Sequence, residues 1–276
     1  MLKFLLSKLA GKKEDASFWE HAEVLRSFLI KSIIAVAVLS IASFFFKDFI
    51  FNNIILGPKS KSFITYQWLC KLGRLINTDS LCVKELDFKL INLTIAGQLR
   101  WHIVISAVAG FIVALPYILF LLWRFIRPAL TAREARASRF MTFYVLLLFI
   151  TGLLFGYYIL LPMSIYFLVN YQLSPEIVNF FTINSYISTA TVLPFSTAVV
   201  FELPVLVYFL SKIGILSAAF MKKYRKHAFV VILILAAIIT PSTDAFTMSL
   251  VALPFYLLFE FSILLCARIE RKNNPV

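Results

Sequence analysis

Between Arg139 and Lys212 the chain has no lysine or arginine, a gap of seventy-two residues. Charge is scarce elsewhere too: Asp, Glu, Lys and Arg make up 15% of the 276 residues against 61% hydrophobic, and the mean hydropathy is +0.88. So little polar surface cannot cover a soluble domain of this length, and the chain reads as an integral membrane protein. Histidine and cysteine number three each. His21, His102 and His227 fall in three separate regions and no Cys and His spacing suits a metal, so neither a metal nor a cofactor is expected. Without a convergent His, Cys or metal cluster, no enzyme is expected either. The basic N-terminal segment is not followed directly by a short apolar run with a small-residue cleavage site, so no cleaved signal is expected. No internal repeat of the kind that many secondary transporters carry is visible.

What the chain does have is hydrocarbon in long blocks. Apolar stretches fall at 27–46, 101–123, 140–162, 186–211, 229–240 and 246–267. Most reach the ~20 residues that a helix needs to cross ~30 Å of bilayer core. The fifth covers only ~18 Å at ~1.5 Å per residue, so it either thins the bilayer locally or forms a shallow hairpin with the sixth. The expected fold is an all-α membrane protein, residues 1–276 forming one polytopic domain of six spans with a long outer loop at 47–100.

Basic residues outnumber acidic ones 27 to 14. They lie in separate gaps between apolar blocks rather than on one surface, which argues against a nucleic-acid partner. With the N-terminus inside, the inner segments carry eighteen Lys and Arg residues and the outer loop eight, the other outer loops having none. That asymmetry favours both termini in the cytoplasm. Lys31 stands in the first turns of span one, from which it can snorkel to the inner surface.

Leu-Pro pairs end at Pro116, Pro162, Pro194, Pro204 and Pro254. Each proline removes a ladder hydrogen bond and crowds the preceding turn, so bent helices enclosing a concave bundle are expected. In the outer loop an oxidising compartment would let Cys70 and Cys82 pair; the alternative is two separate thiols. Cys266, in the last span, reads as a small packing residue.

The carboxylates are the candidates for function. Glu202 lies in the run Val199-Val200-Phe201-Glu202-Leu203-Pro204-Val205, where dehydrating it costs ~2.5 kcal/mol or more near a bilayer centre. A group that costly reads as a working site. Glu260 is a second intramembrane acid, nearer the cytoplasmic end of its span. Ser188 and Thr191 can share a helical face with Glu202. Ser196 and Thr197 lie round the helix unless a bend at Pro194 re-aims them, and bonding to their own backbone is the simpler reading for such hydroxyls. Asp244 falls in a tight outer turn, where Asp is favoured anyway. Near the N-terminus, Ser17 and Glu20 form a capping-box pattern that starts an amphipathic helix, on which Glu20 and Glu23 share a face. Thr131 and Glu134 form another at the start of span three. Glu134 can be a cap alone or, at the inner mouth, a partner for an arginine.

These landmarks run in order: His21 with Leu25 and Arg26; Gly57 and Pro58; Pro116, then Trp123, Phe125, Pro128, Leu130 and Glu134; Gly152, Phe155, Tyr157 and Pro162; Phe201, Glu202, Leu203 and Pro204; Gly214; Thr240, Pro241 and Asp244; Pro254; Phe259 and Glu260. In that order the chain resembles the TatC family, the polytopic component of the twin-arginine protein translocase. The resemblance implies a receptor in the bacterial cytoplasmic membrane for signal peptides with paired arginines. It implies folded cargo, single-span partners of the TatA and TatB type, self-association within membrane lipid, and a proton gradient as the power source. It assigns the recognition patch to Glu134, Glu23 or Glu20, Phe125 and Arg26, and the embedded contact with peptide and partners to Glu202. The family pattern His-Leu-x-Glu-Leu-Arg differs here: Val24 holds the glutamate position and the acid stands one residue earlier, a rotation of ~100° about a helix. Leu121 replaces a common glutamine.

The rival reading is a proton-coupled secondary transporter with Glu202 as its titrating site. That reading predicts small-solute uptake by vesicles holding this protein alone, lost in Glu202→Gln. The receptor reading predicts no uptake in the same assay.

Overall fold

The computed structural model describes residues 2–60, 62–75, 88–126, 132–174, 176, 179–212, 214–240 and 244–273. Its helices are α1 (Leu2–Phe45), α2 (Lys47–Phe49), α3 (Ile64–Leu75), α4 (Gly97–Ile126), α5 (Ala132–Phe155), α6 (Leu161–Asn170), α7 (Ile183–Val200), α8 (Leu203–Lys212), α9 (Ala218–Lys223), α10 (Arg225–Ile239) and α11 (Ala245–Asn273). Five segments are long and apolar enough to cross a membrane: Ala22–Phe45, Gly97–Phe125, Thr142–Asn170, Ile183–Lys212 and Ala245–Arg271. They match five of the six expected spans. The expected fifth corresponds to α10, whose 15 residues extend ~22 Å.

Two expectations need correction. Ser17 does not start a helix, because α1 runs unbroken for 44 residues from Leu2; once a helix is under way, a capping-box pattern inside it has no free N–H groups to cap. The fold is also not purely helical. Strand β1 (Leu90–Ile91) pairs in parallel with β2 (Phe181–Thr182), Leu90 opposite Phe181 and Ile91 opposite Thr182. Phe88, just before β1, is buried with its ring 5.0 Å from Phe181 and 6.1 Å from Tyr186. At the other capping-box pattern, Ala132 is the first described residue of α5, and the expected cap at Thr131 lies outside the described residues.

The chain forms two compact units, Met1–Phe45 with Val104–Leu146, and Phe46–Ile103 with Leu147–Val276. In the first, α1 and α4 run antiparallel, Ser40 meeting Gly110 towards one end and Phe28 meeting Phe125 at the other. A Cβ at Gly110 would lie 2.4 Å from the Ser40 nitrogen, so only glycine lets the two backbones approach so closely.

In the second unit, α5 and the π turn that follows it approach α7 through Gly152 and Gly156, one turn apart. A Cβ at Gly152 would stand 2.7 Å from the Phe201 side chain, and one at Gly156 would stand 2.6 Å from the Pro194 Cα. This is a small-residue contact of the GxxxG kind, where helices pack without a hydrophobic driving force between them. The other end of the unit closes on Val207, Ala218, Met221, Ile263 and Cys266. The Cys266 thiol donates to Ser211 Oγ at 3.2 Å, consistent with a packing role.

Prolines mark where regular structure fails. The α5 ladder widens into a π turn at Gly156–Leu160 just before Pro162, and the chain breaks at Phe201 and Glu202 just before Pro204. Pro116, Pro194 and Pro254 instead lie inside continuous helices. Because Pro58 and Pro162 lack an N–H, the carbonyls four residues earlier, Ile54 and Tyr158, lose their usual donor. Hydroxyls replace it. Tyr157 donates to Ile54 O at 2.7 Å, Thr65 donates to Tyr158 O, and Tyr186 donates to Ile55 O at 2.9 Å. The Tyr66 hydroxyl lies 3.0 Å from Pro58 O and 3.2 Å from Pro162 O, sharing one proton between them. Burial pushes the Tyr66 phenol above its ordinary range, which keeps it a donor.

Gly156→Ala forces a methyl against the Pro194 backbone. It is expected to destabilise the protein by ~1–3 kcal/mol as an overpacked contact, read as a lower thermal unfolding midpoint in detergent. An unchanged midpoint would mean that this approach does not hold the unit together.

Candidate functional site

At the α1 and α4 end of the first unit lies a groove of about 440 Å³, lined by Glu23, Val24, Ser27, Phe28 and Lys31 from α1 and by Leu121, Arg124 and Phe125 from α4. The spacing explains the lining: positions three or four residues apart return to one face of a helix. The Phe28 and Phe125 rings stack at 6.1 Å with planes 20° apart, forming an aromatic wall. Glu23 is exposed at the groove and Leu121 is buried in it.

The structure thus brings together two of the residues singled out in the sequence, Glu23 and Phe125. The one-residue shift of the acid does not remove it from the groove, because Glu23 and Val24 both line the wall. Arg26 is exposed and is not among the lining residues. Glu20 lies on α1 and Glu134 on α5, but their side chains fall outside what is described. Sequence reasoning missed Phe28 and Arg124. The signal was the spacing: Phe28 is four residues from Val24, and Arg124 is three from Leu121 and next to Phe125.

Glu202 sits in the break between α7 and α8. Its N–H donates to Val199 O at 3.1 Å, and its carbonyl accepts from the Val205 and Leu206 N–H groups, each at 3.0 Å. Its Oε1 is buried with no hydrogen-bond partner among the described residues. An oxygen left so is costly to bury. Thr197 is buried and spends its hydroxyl on Leu193 O at 2.7 Å; Thr191 does the same with Ile187 O at 2.7 Å. Ser196 is half-buried on α7.

Three other acids are occupied inside the chain. Glu260 accepts from Arg225 Nη2 at 2.7 Å and from the Tyr256 hydroxyl at 3.0 Å. Asp244 caps α11, accepting from the Thr247 N–H at 2.8 Å and from the Thr247 hydroxyl. Glu270 accepts from the Ala218 N–H at 2.9 Å, tying the start of α9 to α11. Cys70 is in a disulfide; Cys82 lies outside the described residues. Among the described residues no three His, Cys, Asp or Glu side chains gather as a metal site would require.

Comparison with known proteins places these features in a family. The family model for the Sec-independent protein translocase protein TatC matches residues 20–254. The TatC protein of Blattabacterium sp. subsp. Periplaneta americana is 38% identical over 96% of this chain and 100% of its own length. That of Aquifex aeolicus is 33% identical over 93% of this chain and 97% of its own. A crystal structure of a twin arginine translocase receptor TatC superposes with a TM-score of 0.71 at 32% identity, covering 91% of this chain and all of that one.

Glu202→Gln keeps the side chain's shape while removing the charge of a carboxylate whose Oε1 has no hydrogen-bond partner among the described residues. The purified variant is expected to unfold in detergent at a temperature no lower than the wild type. A midpoint several degrees lower would show that the carboxylate supports the fold itself.

Proposed function

This chain belongs to the TatC family of Sec-independent protein translocase proteins, and we propose that it is the receptor and core subunit of a twin-arginine translocase. In this reading the chain crosses a bacterial cytoplasmic membrane six times with both ends inside, α10 being the short fifth crossing. It binds paired-arginine signal peptides at the cytoplasmic face and assembles with single-span TatA and TatB type partners, and with further copies of itself, to export folded proteins at the expense of the proton gradient.

The observation that carries the reading is the meeting of Glu23 and Phe125 in one groove. Arginine presents a planar fork of donors that a carboxylate accepts in pairs, and its face stacks on aromatic rings. Glu23, with Glu134 or Glu20, would take the two guanidinium groups, Phe125 would pack against one, and Arg26 would flank them. Each charge-assisted bond contributes ~1.5 to 3 kcal/mol. Lysine keeps the charge and loses the fork, so discrimination between the two is built into the chemistry. Glu202, with its unpartnered oxygen, is the proposed contact for an inserted peptide or a partner helix, with Ser196 and Thr197 on the preceding helix α7.

A photo-crosslinking peptide bearing the arginine pair is expected to label residues near Glu134 in membranes holding this protein. The label should be lost in Glu134→Ala, sharply reduced in Glu23→Ala, and lost when the pair is changed to lysines. Labelling that survives all three changes would rule out direct recognition of the arginines by these acids.

A further inference from the structure

The recognition groove does not stop at Lys31. A second groove of about 340 Å³ adjoins it, lined by Lys31, Ile34, Ala35, Val38, Leu39 and Tyr117. Lys31 lines both, so it stands where a polar groove holding Arg124 gives way to one walled mostly by hydrocarbon. Among the described residues neither Lys31 nor Arg124 has an ion-pair partner. Glu23, the acid among the lining residues, is eight residues from Lys31, ~12 Å along the helix axis.

Two unpaired cations at the head of an apolar channel between membrane helices define a ligand with one anionic group and one long apolar chain. Free phosphate would satisfy the cations and leave the channel unfilled. An arginine pair would meet like charge at Lys31 and Arg124. We propose that this groove holds one anionic phospholipid, its phosphate between Lys31 and Arg124 and one acyl chain along Ile34, Ala35, Val38, Leu39 and Tyr117. Basic pockets between membrane helices are suited to such headgroups. The lipid also serves the neighbouring site: its phosphate neutralises the two cations that would otherwise repel a guanidinium pair approaching Glu23. That consequence rests on the receptor reading above, whereas the lipid site itself does not.

The full-length protein, purified in detergent, is offered phosphatidylglycerol, phosphatidylcholine, diacylglycerol or inorganic phosphate, and bound lipid is counted by native mass spectrometry. Phosphatidylglycerol is expected to be retained over the other two lipids. Lys31→Gln and Arg124→Gln should each lower its retention about fivefold, equivalent to ~1 kcal/mol per basic residue at a membrane surface. Lys31→Arg should restore it. Ala35→Trp, which blocks the channel and leaves both charges in place, should lower retention as well, so the proposal stays testable if a charge variant fails to fold. Equal retention by the double variant Lys31→Gln with Arg124→Gln would overturn the site. So would diacylglycerol held as tightly as phosphatidylglycerol, or inorganic phosphate displacing the lipid. Peptide crosslinking that fails while lipid retention stands would count against the receptor reading alone.

Discussion

A polar group carried into hydrocarbon must find its partner within the protein, because no water is there to supply one. Helices meet this demand for their own backbone, and prolines break the arrangement at defined places. At Pro58 and Pro162 the missing N–H is replaced by side-chain hydroxyls from elsewhere in the same unit, Tyr157 for Ile54 and Thr65 for Tyr158. The replacement does more than satisfy a carbonyl. Each hydroxyl ties a segment following the first span to a residue more than ninety positions away, so the segment 50–66 is held to the third and fourth spans by the same bonds that correct the proline defects.

The same constraint places Glu202. Pro204 cannot donate to the turn before it, the α7 ladder ends at Val200, and the residues released there are Phe201 and Glu202. The Phe201 side chain packs over Gly152, fixing the break against α5. A carboxylate in an unbroken helix would have its orientation set by the helical repeat alone. In a packed break it is set by the neighbours that close the break, and among the described residues they leave Oε1 buried without a donor.

Much of this was legible in the residues. Hydropathy alone located five spans, since twenty apolar residues in a row have few other uses. Helix ends were less legible. Polar residues such as those of 132–139 extend α5 beyond its apolar block, and helix propensity does not stop where hydrocarbon does. The capping-box pattern at Ser17 misled because such a pattern marks a start only where the preceding residues are not already helical. The strand pair was illegible: two residues on each side carry no periodicity, and their pairing joins segments about ninety positions apart. The GxxxG spacing of Gly152 and Gly156 was readable but went unread, because a glycine in a helix looks like a weakness until its neighbour is known.

The candidate site divides along the same line. Which acids exist was plain from the chain; which remain available was not, because availability depends on partners distant in sequence. Glu260 and Glu202 are alike in composition and setting, each an acid in an apolar span. Arg225, thirty-five residues from Glu260, accepts the role of counterion for it, and Tyr256 takes its other oxygen. Asp244 and Glu270 are likewise spent on the ends of α11 and α9. A carboxylate engaged inside the chain can greet a partner only by giving up that bond, which for a charged group costs ~1.5 to 3 kcal/mol. Among the described residues Glu202 has no such bond to give up at Oε1, and Glu23 stands exposed at its groove. Among these five acids, partners distant in sequence therefore separate Glu260, Asp244 and Glu270, already engaged, from Glu202 and Glu23, and only contacts made by the fold tell the two groups apart.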